Sequence, residues 1–276
     1  MLNLNLPYLN LSLPLRMKQN GKTNGEGLLP ILLVFYVMGF NYISFDDKNK
    51  LSKKKIIIKG ILFYLKYLFV LICVILSLIV ALNLFNVDTG SLKYPLESEM
   101  NEMREKSDFY LLFLVVFFGS IIEEMGFRLG FSFKRKHIAI SASAITYMFT
   151  SLLSGSGYFD DVLYKLVFAA LTGLILYGVG QTIYDNIQQK YGQIIIWIMI
   201  LFFGFLHVIN YDIEVTCLLP VYFVMCLPQV LMGIVFTYFR LNLGFLYGLG
   251  FHCLLNGISF MLSSLLIVDV DLLVYL

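Results

Sequence analysis

The sequence predicts an all-α, polytopic integral membrane protein of about eight transmembrane helices, packed in one bundle that encloses a polar cavity. Of its 276 residues, 59% are hydrophobic, 14% are charged, and the mean hydropathy is +0.82. Soluble domains are roughly 45–50% apolar. The 25 Phe and 18 Tyr also fit this class, because aromatic side chains anchor membrane helices at the headgroup level.

The N-terminal residues 1–26 are polar and loop-like, and we predict that they form a flexible segment. Met17 is an alternative start, since basic residues follow it before the first apolar run. No small-residue cleavage site follows residues 28–45, so a cleaved signal peptide is not expected. The remaining residues, 27–276, are predicted to form one membrane-embedded domain.

Candidate spans follow from the apolar runs of this domain. The runs cover approximately residues 28–45, 61–85, 109–131, 138–153, 162–180, 194–210, 215–238 and 243–268. Several are shorter than the roughly 20 residues that a perpendicular span needs. The first run could therefore lie at the membrane interface, and the pair at 138–180 could be tilted or partly re-entrant. No internal repeat is evident, which argues against a transporter built from duplicated halves.

The charged loops predict the orientation of the helices. Lysines cluster between Lys48 and Lys55, after the first run, and Lys134, Arg135 and Lys136 follow the third run. An acidic segment, residues 88–108, lies between the second and third runs. The positive-inside rule makes both basic loops cytoplasmic and places the acidic segment on the other side.

Several functional classes lack support in the sequence. The cysteines Cys73, Cys217, Cys226 and Cys253 show no CxxC or zinc-finger spacing, and we interpret them as buried hydrophobic residues. No motif for binding nucleotides or nucleic acids is present. Neither Ser120 nor Cys253 lies in a nucleophile motif, which argues against serine or cysteine protease chemistry.

The third run contains two glutamates and an arginine, which are costly in hydrocarbon unless they pair or line a polar cavity. Glu124 and Arg128 are four residues apart and can form an ion pair on one helix face. Glu123 is rotated by about 100° and can present its carboxylate to a cavity. The alternative is a structural salt bridge with a spare acid.

Two further helices carry histidines. His207 ends the sequence Phe-Gly-Phe-Leu-His in the sixth run, and His252 and Asn256 share a helix face in the last run. Each group alone is also typical of a helix-packing residue. Under the predicted topology, Glu123 and both histidines lie on the order of 15–20 Å from the cytoplasmic ends of their helices. We therefore expect Glu123, His207, His252 and Asn256 to converge on one cavity.

These motifs resemble a known family. Glu-Glu-x-x-x-Arg at 123–128, Phe-x-x-x-His at 203–207 and His-x-x-x-Asn at 252–256 occur in the order found in CPBP intramembrane proteases. This family includes the CAAX prenyl endopeptidases and bacteriocin-immunity-type members. The resemblance covers approximately residues 109–260, the protease-like core. One departure is the separation of 79 residues between Arg128 and His207, which indicates an inserted helical pair. Part of that insert, residues 145–151, itself resembles a degenerate second motif with Ser151 at the histidine position.

The resemblance implies an endopeptidase that cleaves a membrane-associated or lipid-modified peptide or protein. Glu123 and His207 would activate a water molecule, His252 and Asn256 would stabilise the oxyanion, and Glu124 with Arg128 would support the first motif helix. A catalytic zinc is an open alternative, because two histidines and a carboxylate can bind this metal. Without a His-Glu-x-x-His helix, we assign no metal ligand.

The expected location is a bacterial plasma membrane, since the chain is rich in Ile, Lys, Asn and Tyr. An alternative function is a non-catalytic membrane scaffold or bacteriocin-immunity protein that uses the same cavity for binding. A proton-coupled transporter with buried Glu and His relays is a third hypothesis.

Overall fold

The computed structural model describes residue 45 and residues 47–85, 87, 108–155, 158–211 and 218–265. Almost all of these residues are helical and none of them lies in a β-strand, which confirms the all-α class. Several predictions lie outside the described residues. They concern the segment 1–26 with Met17, the first apolar run except its last residue, the acidic residues 88–107, and Cys217.

The described helices are numbered here in chain order. They are α1 (Lys53–Leu84), α2 (Asp108–Leu112), α3 (Ser120–Arg128), α4 (Arg135–Ser154), α5 (Val162–Gly178), α6 (Gln181–Leu206), α7 (Leu219–Met225), α8 (Leu227–Leu243) and α9 (Phe245–Leu265). A π-helical stretch, Phe113–Gly119, joins α2 to α3. Short 3-10 turns occur at Asp47–Asn49, Leu129–Ser132 and His207–Asn210.

Five helical segments among the described residues are long and apolar enough to cross a membrane. They are Lys53–Leu84, Arg135–Ser154, Gln181–Asn210, Leu219–Leu243 and Phe245–Leu262. The chain is therefore a multi-spanning membrane protein by length and composition, whereas the number eight stays a prediction. Helix α5 has 17 residues, fewer than the roughly 20 of a perpendicular span, as the short apolar run suggested.

Helix α1 presents a large apolar surface. Phe69 and Val80 are exposed, while Phe63 and Ile56 are buried against the rest of the fold. An exposed apolar face of this size is expected where lipid replaces water as the solvent. The buried face of α1 packs against α8, which also contacts α6 and α9. Helix α8 is therefore the central helix of the described bundle.

Helices α6 and α8 approach closely at Gly204. A Cβ atom at this position would lie 2.6 Å from the Cα and 2.7 Å from the backbone nitrogen of Val230. Real carbon contacts need about 3.5–4.0 Å. The missing side chain therefore permits the crossing, in the way that small residues bring membrane helices together. The crossing places Phe203, the neighbouring residue of α6, against α8.

Both predicted cytoplasmic segments lie at the C-terminal end of α8. The backbone N–H of Lys48 donates to Asn242 Oδ1 at 2.8 Å. The second segment is held in the same way. Arg240 Nε, near the end of α8, donates at 3.2 Å to the carbonyl oxygen of Arg128, which precedes the basic residues 134–136 in the sequence. A partly buried ion pair between Lys59 and Asp47, at 2.6 Å, further fixes the first segment. This common location agrees with the prediction that the two basic loops share one side of the membrane.

The predicted insert between the first two motifs forms a helical hairpin of α4 and α5. Ser143 Oγ on α4 donates to the carbonyl oxygen of Ala169 on α5 at 2.8 Å. On its other side, α4 packs against α3, where Ser141 Oγ donates to the carbonyl oxygen of Gly126. The hairpin therefore lies beside the helix that carries the two glutamates.

Candidate functional site

Two adjacent glutamates of α3 face the two ring nitrogens of one histidine of α9. Glu124 Oε1 lies 3.0 Å from Nδ1 of His252, and Glu123 Oε2 lies 3.6 Å from Nε2 of the same ring. The roughly 100° between successive helical residues lets the carboxylates reach different atoms of the ring. The sequence analysis assigned Glu124 only to a structural pair, whereas the structure also gives it the contact with His252.

The ion pair of Glu124 with Arg128 has the predicted i, i+4 geometry. Arg128 Nη1 donates to Glu124 Oε1 at 2.6 Å, and the two side chains are 1% and 0% exposed. The Arg128 guanidinium also lies over two aromatic rings, 4.1 Å from the centroid of Phe203 and 5.1 Å from that of Phe236. The charge is thus compensated by a carboxylate and by ring quadrupoles in place of water.

The contact with Glu124 sets the tautomer of His252. An ionised carboxylate only accepts hydrogen bonds, so Nδ1 of His252 carries a proton and donates it to Glu124. In the neutral ring, Nε2 then keeps its lone pair and faces Glu123. Of the two carboxylates, Glu124 is fully buried and Glu123 is 24% exposed. A molecule that reaches this pair can therefore meet the Glu123 carboxylate, behind which His252 is 3% exposed.

The position of the His252 ring depends on α8. Phe236 stacks on the imidazole with a centroid separation of 4.3 Å and an interplanar angle of 20°. Close packing of α9 here requires Gly248, because a Cβ at that position would lie 3.1 Å from the Phe236 carbonyl oxygen and 3.4 Å from Glu124 Oε2. His252 is consequently held on one face by an aromatic ring and on one edge by Glu124.

His207 follows α6 directly, at the start of a 3-10 turn. Its Nδ1 lies 2.9 Å from the carbonyl oxygen of Phe203, which can only accept, so Nδ1 is the protonated nitrogen. The Phe203 ring contacts both imidazoles, with centroid separations of 5.1 Å to His207 and 6.1 Å to His252. No ion pair joins His207 to Glu123 among the residues that the structure describes. The structure therefore brings His207 to the same aromatic ring as His252, and leaves it outside direct contact with Glu123.

Asn256 lies one turn beyond His252 on α9 and contacts the region before the glutamates. Its amide nitrogen donates to Ser120 Oγ at 3.0 Å and to the carbonyl oxygen of Val115 at 3.3 Å. Both hydrogen bonds cross from α9 to the chain segment that precedes Glu123. The predicted oxyanion role of Asn256 stays a prediction, and in this conformation its amide hydrogens are directed at these two acceptors.

The alternative second motif of the insert lies on α4. Ser151 is buried, and its hydroxyl donates to the carbonyl oxygen of Tyr147 on its own helix at 3.1 Å. By contrast, Phe203 of the motif that ends at His207 contacts Arg128 and His252 directly. These contacts favour the alignment that retains His207.

Two aromatic residues near the site were missed by sequence reasoning. Phe236 lies in an apolar helix without any motif. As one of 25 phenylalanines, it has no sequence feature that would indicate a position beside the site. Tyr158 lies in the turn between α4 and α5, packs edge-on against Phe118 at 5.9 Å, and accepts a hydrogen bond from Tyr147. Burial raises the pKa of Tyr158, and the nearby Glu123 carboxylate raises it further. Tyr158 is therefore a neutral phenol within electrostatic range of Glu123.

A zinc ion at the two histidines stays a prediction. Both histidines direct Nδ1 at an acceptor and leave Nε2 for a proton or a metal, which is the usual arrangement around metal-binding histidines. However, no three His, Cys, Asp or Glu side chains within the described ranges are close enough together to hold a metal ion. The chemistry considered below therefore uses only the protein's own groups.

Comparison of the chain with family models, with curated proteins and with solved structures finds no match. The resemblance to CPBP proteases consequently depends on the three sequence motifs alone. The class that the fold itself defines is a multi-spanning, all-helical membrane protein with a buried cluster of charged side chains.

Proposed function

We propose that the protein is an intramembrane endopeptidase of the CPBP type, which hydrolyses a peptide bond with water activated by Glu123 and His207. The observation that carries the proposal is the contact of Glu123 with Nε2 of His252, beside the buried pair of Glu124 and Arg128. A partly exposed carboxylate next to an imidazole of fixed tautomer is suited to general acid–base catalysis.

In the proposed reaction, Glu123 accepts a proton from water while the water oxygen attacks the carbonyl carbon of the scissile bond. His207 would hold the same water through Nε2, because its Nδ1 is bound to Phe203. The carbonyl oxygen becomes an oxyanion, which His252 would stabilise with both ring nitrogens protonated, through Nε2–H, and Asn256 through its amide. When the carbon–nitrogen bond breaks, the proton held by Glu123 passes to the leaving amine. Charge developing in a poorly hydrated site interacts strongly with such groups.

The substrate class follows from the surroundings of the site. Glu123 lies in an apolar helical bundle, and the chain continues from its helix to the basic segment from Lys134 to Lys136. This arrangement favours a membrane-associated or lipid-modified peptide or protein that enters from the cytoplasmic side. The proposed location is a bacterial plasma membrane. A nucleotide or a nucleic acid is not part of this proposal.

The test compares the peptides in membranes of cells that carry the wild-type protein, Glu123→Gln, His207→Gln or a control variant. Asp185→Asn is the matched control, since it removes an exposed carboxylate whose partner is Gln181, on the same helix. We expect a set of cleavage products to disappear in the first two variants and to persist in the control. Identical peptide sets in the wild type and in folded Glu123→Gln protein would contradict the proposal.

A second candidate is a non-catalytic scaffold or immunity protein that binds a partner peptide in the same place. The observation that favours it is the lack of an ion pair between His207 and Glu123 in the described part of the chain. A binding protein does not need these groups to meet on one water molecule. If Glu123→Gln kept the cellular phenotype of the wild type while partner binding persisted, this function would replace the protease.

A further inference from the structure

The chain segment before the two glutamates departs from α-helical geometry. Residues Phe113–Gly119 form a π-helical stretch of seven residues, and α3 begins directly after it at Ser120. π-Helical turns are rare and occur frequently at functional sites. This one ends at Gly119, four residues before Glu123, so it determines the direction in which the two carboxylates point.

A π-helical turn changes the direction of every side chain that follows it. Its hydrogen bonds connect residues five apart instead of four, which accommodates one more residue per turn. One residue corresponds to about 100° of rotation on an α-helix. If the stretch relaxed to an α-helix, Glu123 and Glu124 would turn away from the two nitrogens of His252. By register we mean the rotation of α3 about its own axis. The contacts of Glu124 and Glu123 with His252, at 3.0 and 3.6 Å, therefore require the register that is observed.

Two hydrogen bonds from α9 lie at the point where the π-helix becomes an α-helix. The Asn256 amide donates to the carbonyl oxygen of Val115, inside the π-helical stretch, and to the hydroxyl of Ser120, the first residue of α3. Ser120 is 0% exposed. Within a membrane, irregular backbone is tolerated only where neighbouring groups supply the missing hydrogen bonds. Asn256 adds a hydrogen bond to this irregular backbone from the helix that also carries His252.

We propose that the hydrogen bond from Asn256 to Ser120 clamps this junction and so fixes the register of Glu123 and Glu124 against His252, with Ser120 as a positioning residue. The oxyanion contact of Asn256 in the proposed function would require its amide to turn away from these acceptors. The clamp ties α9 to the π-helical segment one turn away from the imidazole. A change at the clamp is therefore expected to move Glu123 relative to Nε2. The consequence for catalysis depends on the proposed function, whereas the effect on the geometry does not.

The geometry can be measured without a substrate. The chain has 3 histidines, so protein labelled with ¹⁵N-histidine in detergent micelles gives few ring signals, which His137→Gln and His207→Gln variants assign. The Nε2 signal of His252 reports the distance and charge of Glu123, and the Nδ1 signal reports the bond to Glu124. Ser120→Ala removes the acceptor of the clamp, Asn256→Leu removes the donor, and Ser120→Thr retains the hydroxyl.

Ser143→Ala is the matched control, because it also removes a serine hydroxyl bonded to a backbone carbonyl of another helix. We expect the Nε2 signal of His252 to shift in Ser120→Ala and Asn256→Leu and to keep its wild-type position in Ser120→Thr and Ser143→Ala. A purely structural role would lower the unfolding temperature and leave this signal of the folded protein in place. An unshifted Nε2 signal in folded Ser120→Ala protein would overturn the clamp. If Asn256→Leu does not fold, the Nε2 signal of His252 in Ser120→Ala is sufficient to test the clamp.

The activity measurement separates the clamp from the proposed function. Misplacement of catalytic groups by about 1 Å can reduce a rate by about 100-fold, so Ser120→Ala is expected to reduce peptide cleavage by about 10- to 100-fold and Ser120→Thr to retain it. A shifted Nε2 signal in a protein without any peptidase activity would support the clamp and refute the protease. An active protein with full cleavage in Ser120→Ala would refute the clamp alone.

Discussion

The same substitution at two neighbouring glutamates is expected to have very different effects on stability. Glu124→Gln removes the negative charge beside Arg128, which is 1% exposed and lies 2.6 Å away. Loss of one partner of a buried ion pair costs about 3–5 kcal/mol, because the other charge remains buried without compensation. The glutamine oxygen can still accept one hydrogen bond, so we expect the lower end, about 3 kcal/mol. Glu123→Gln changes a carboxylate that is 24% exposed and lies 3.6 Å from Nε2 of His252, for which less than about 1 kcal/mol is expected.

The difference is measurable by thermal unfolding in detergent micelles. The chain has 1 tryptophan, Trp197, and it lies on α6. Its fluorescence therefore reports the helix that carries Phe203. In a domain of this size, 1 kcal/mol corresponds to about 2–4 °C in Tm. Glu124→Gln should lower Tm by about 6–12 °C, and Glu123→Gln by less than about 4 °C.

A third variant tests whether the uncompensated charge of Arg128 causes the loss of stability in Glu124→Gln. Arg128→Met in the Glu124→Gln background removes the uncompensated charge, and replacement of a buried pair by apolar groups is often neutral or stabilising. The double variant is therefore expected to be more stable than Glu124→Gln alone. Equal losses in Glu123→Gln and Glu124→Gln, or no recovery in the double variant, would refute the assignment of the buried charge pair to Glu124 and Arg128.

Two further substitutions test the packing around the site. Gly204→Ala places a methyl group 2.6 Å from the Cα of Val230. Overpacking of this kind is expected to lower the free energy of unfolding by about 1–3 kcal/mol, measured by thermal unfolding. Gly250→Ala is the control, because no neighbouring atom lies within 4 Å of the new methyl group, and it should retain the wild-type Tm. Tyr147→Phe removes the hydrogen bond to the Tyr158 carbonyl, with an expected loss of about 1 kcal/mol and faster amide hydrogen exchange in the turn from Tyr158. Unchanged exchange in that turn would show that Tyr147 does not hold it.

The sequence predicted those parts of the fold that follow from composition and local spacing. The membrane class follows from apolar content, and the pair of Glu124 and Arg128 follows from helical periodicity, since both depend on neighbours along the chain. The contact between His252 and Glu123 could also be predicted, because polar side chains buried in a membrane are stabilised by pairing with one another.

Other features depend on packing between helices and could not be predicted. The contact of Glu124 with His252 requires the π-helical stretch Phe113–Gly119, and an apolar sequence such as this one carries no signal for a π-helix. The hydrogen bonds of Asn256 depend on the same irregularity, and so the sequence suggested only a role toward the substrate. The position of Phe236 under His252 depends on the relative rotation of α8 and α9, which local periodicity does not determine.

The arrangement of the cluster explains how two carboxylates of the same helix acquire different roles. Phe203 and Phe236 lie against Arg128, and Phe236 also stacks on His252, so these rings keep water from the guanidinium and from one face of the imidazole. On this inner side, Glu124 can neutralise charge but cannot meet an incoming molecule. Glu123 is the carboxylate with exposed surface, and it faces the imidazole nitrogen that Glu124 leaves unprotonated. Acid–base chemistry at this cluster is therefore expected at Glu123, with its effectiveness depending on the residues that hold the register of α3.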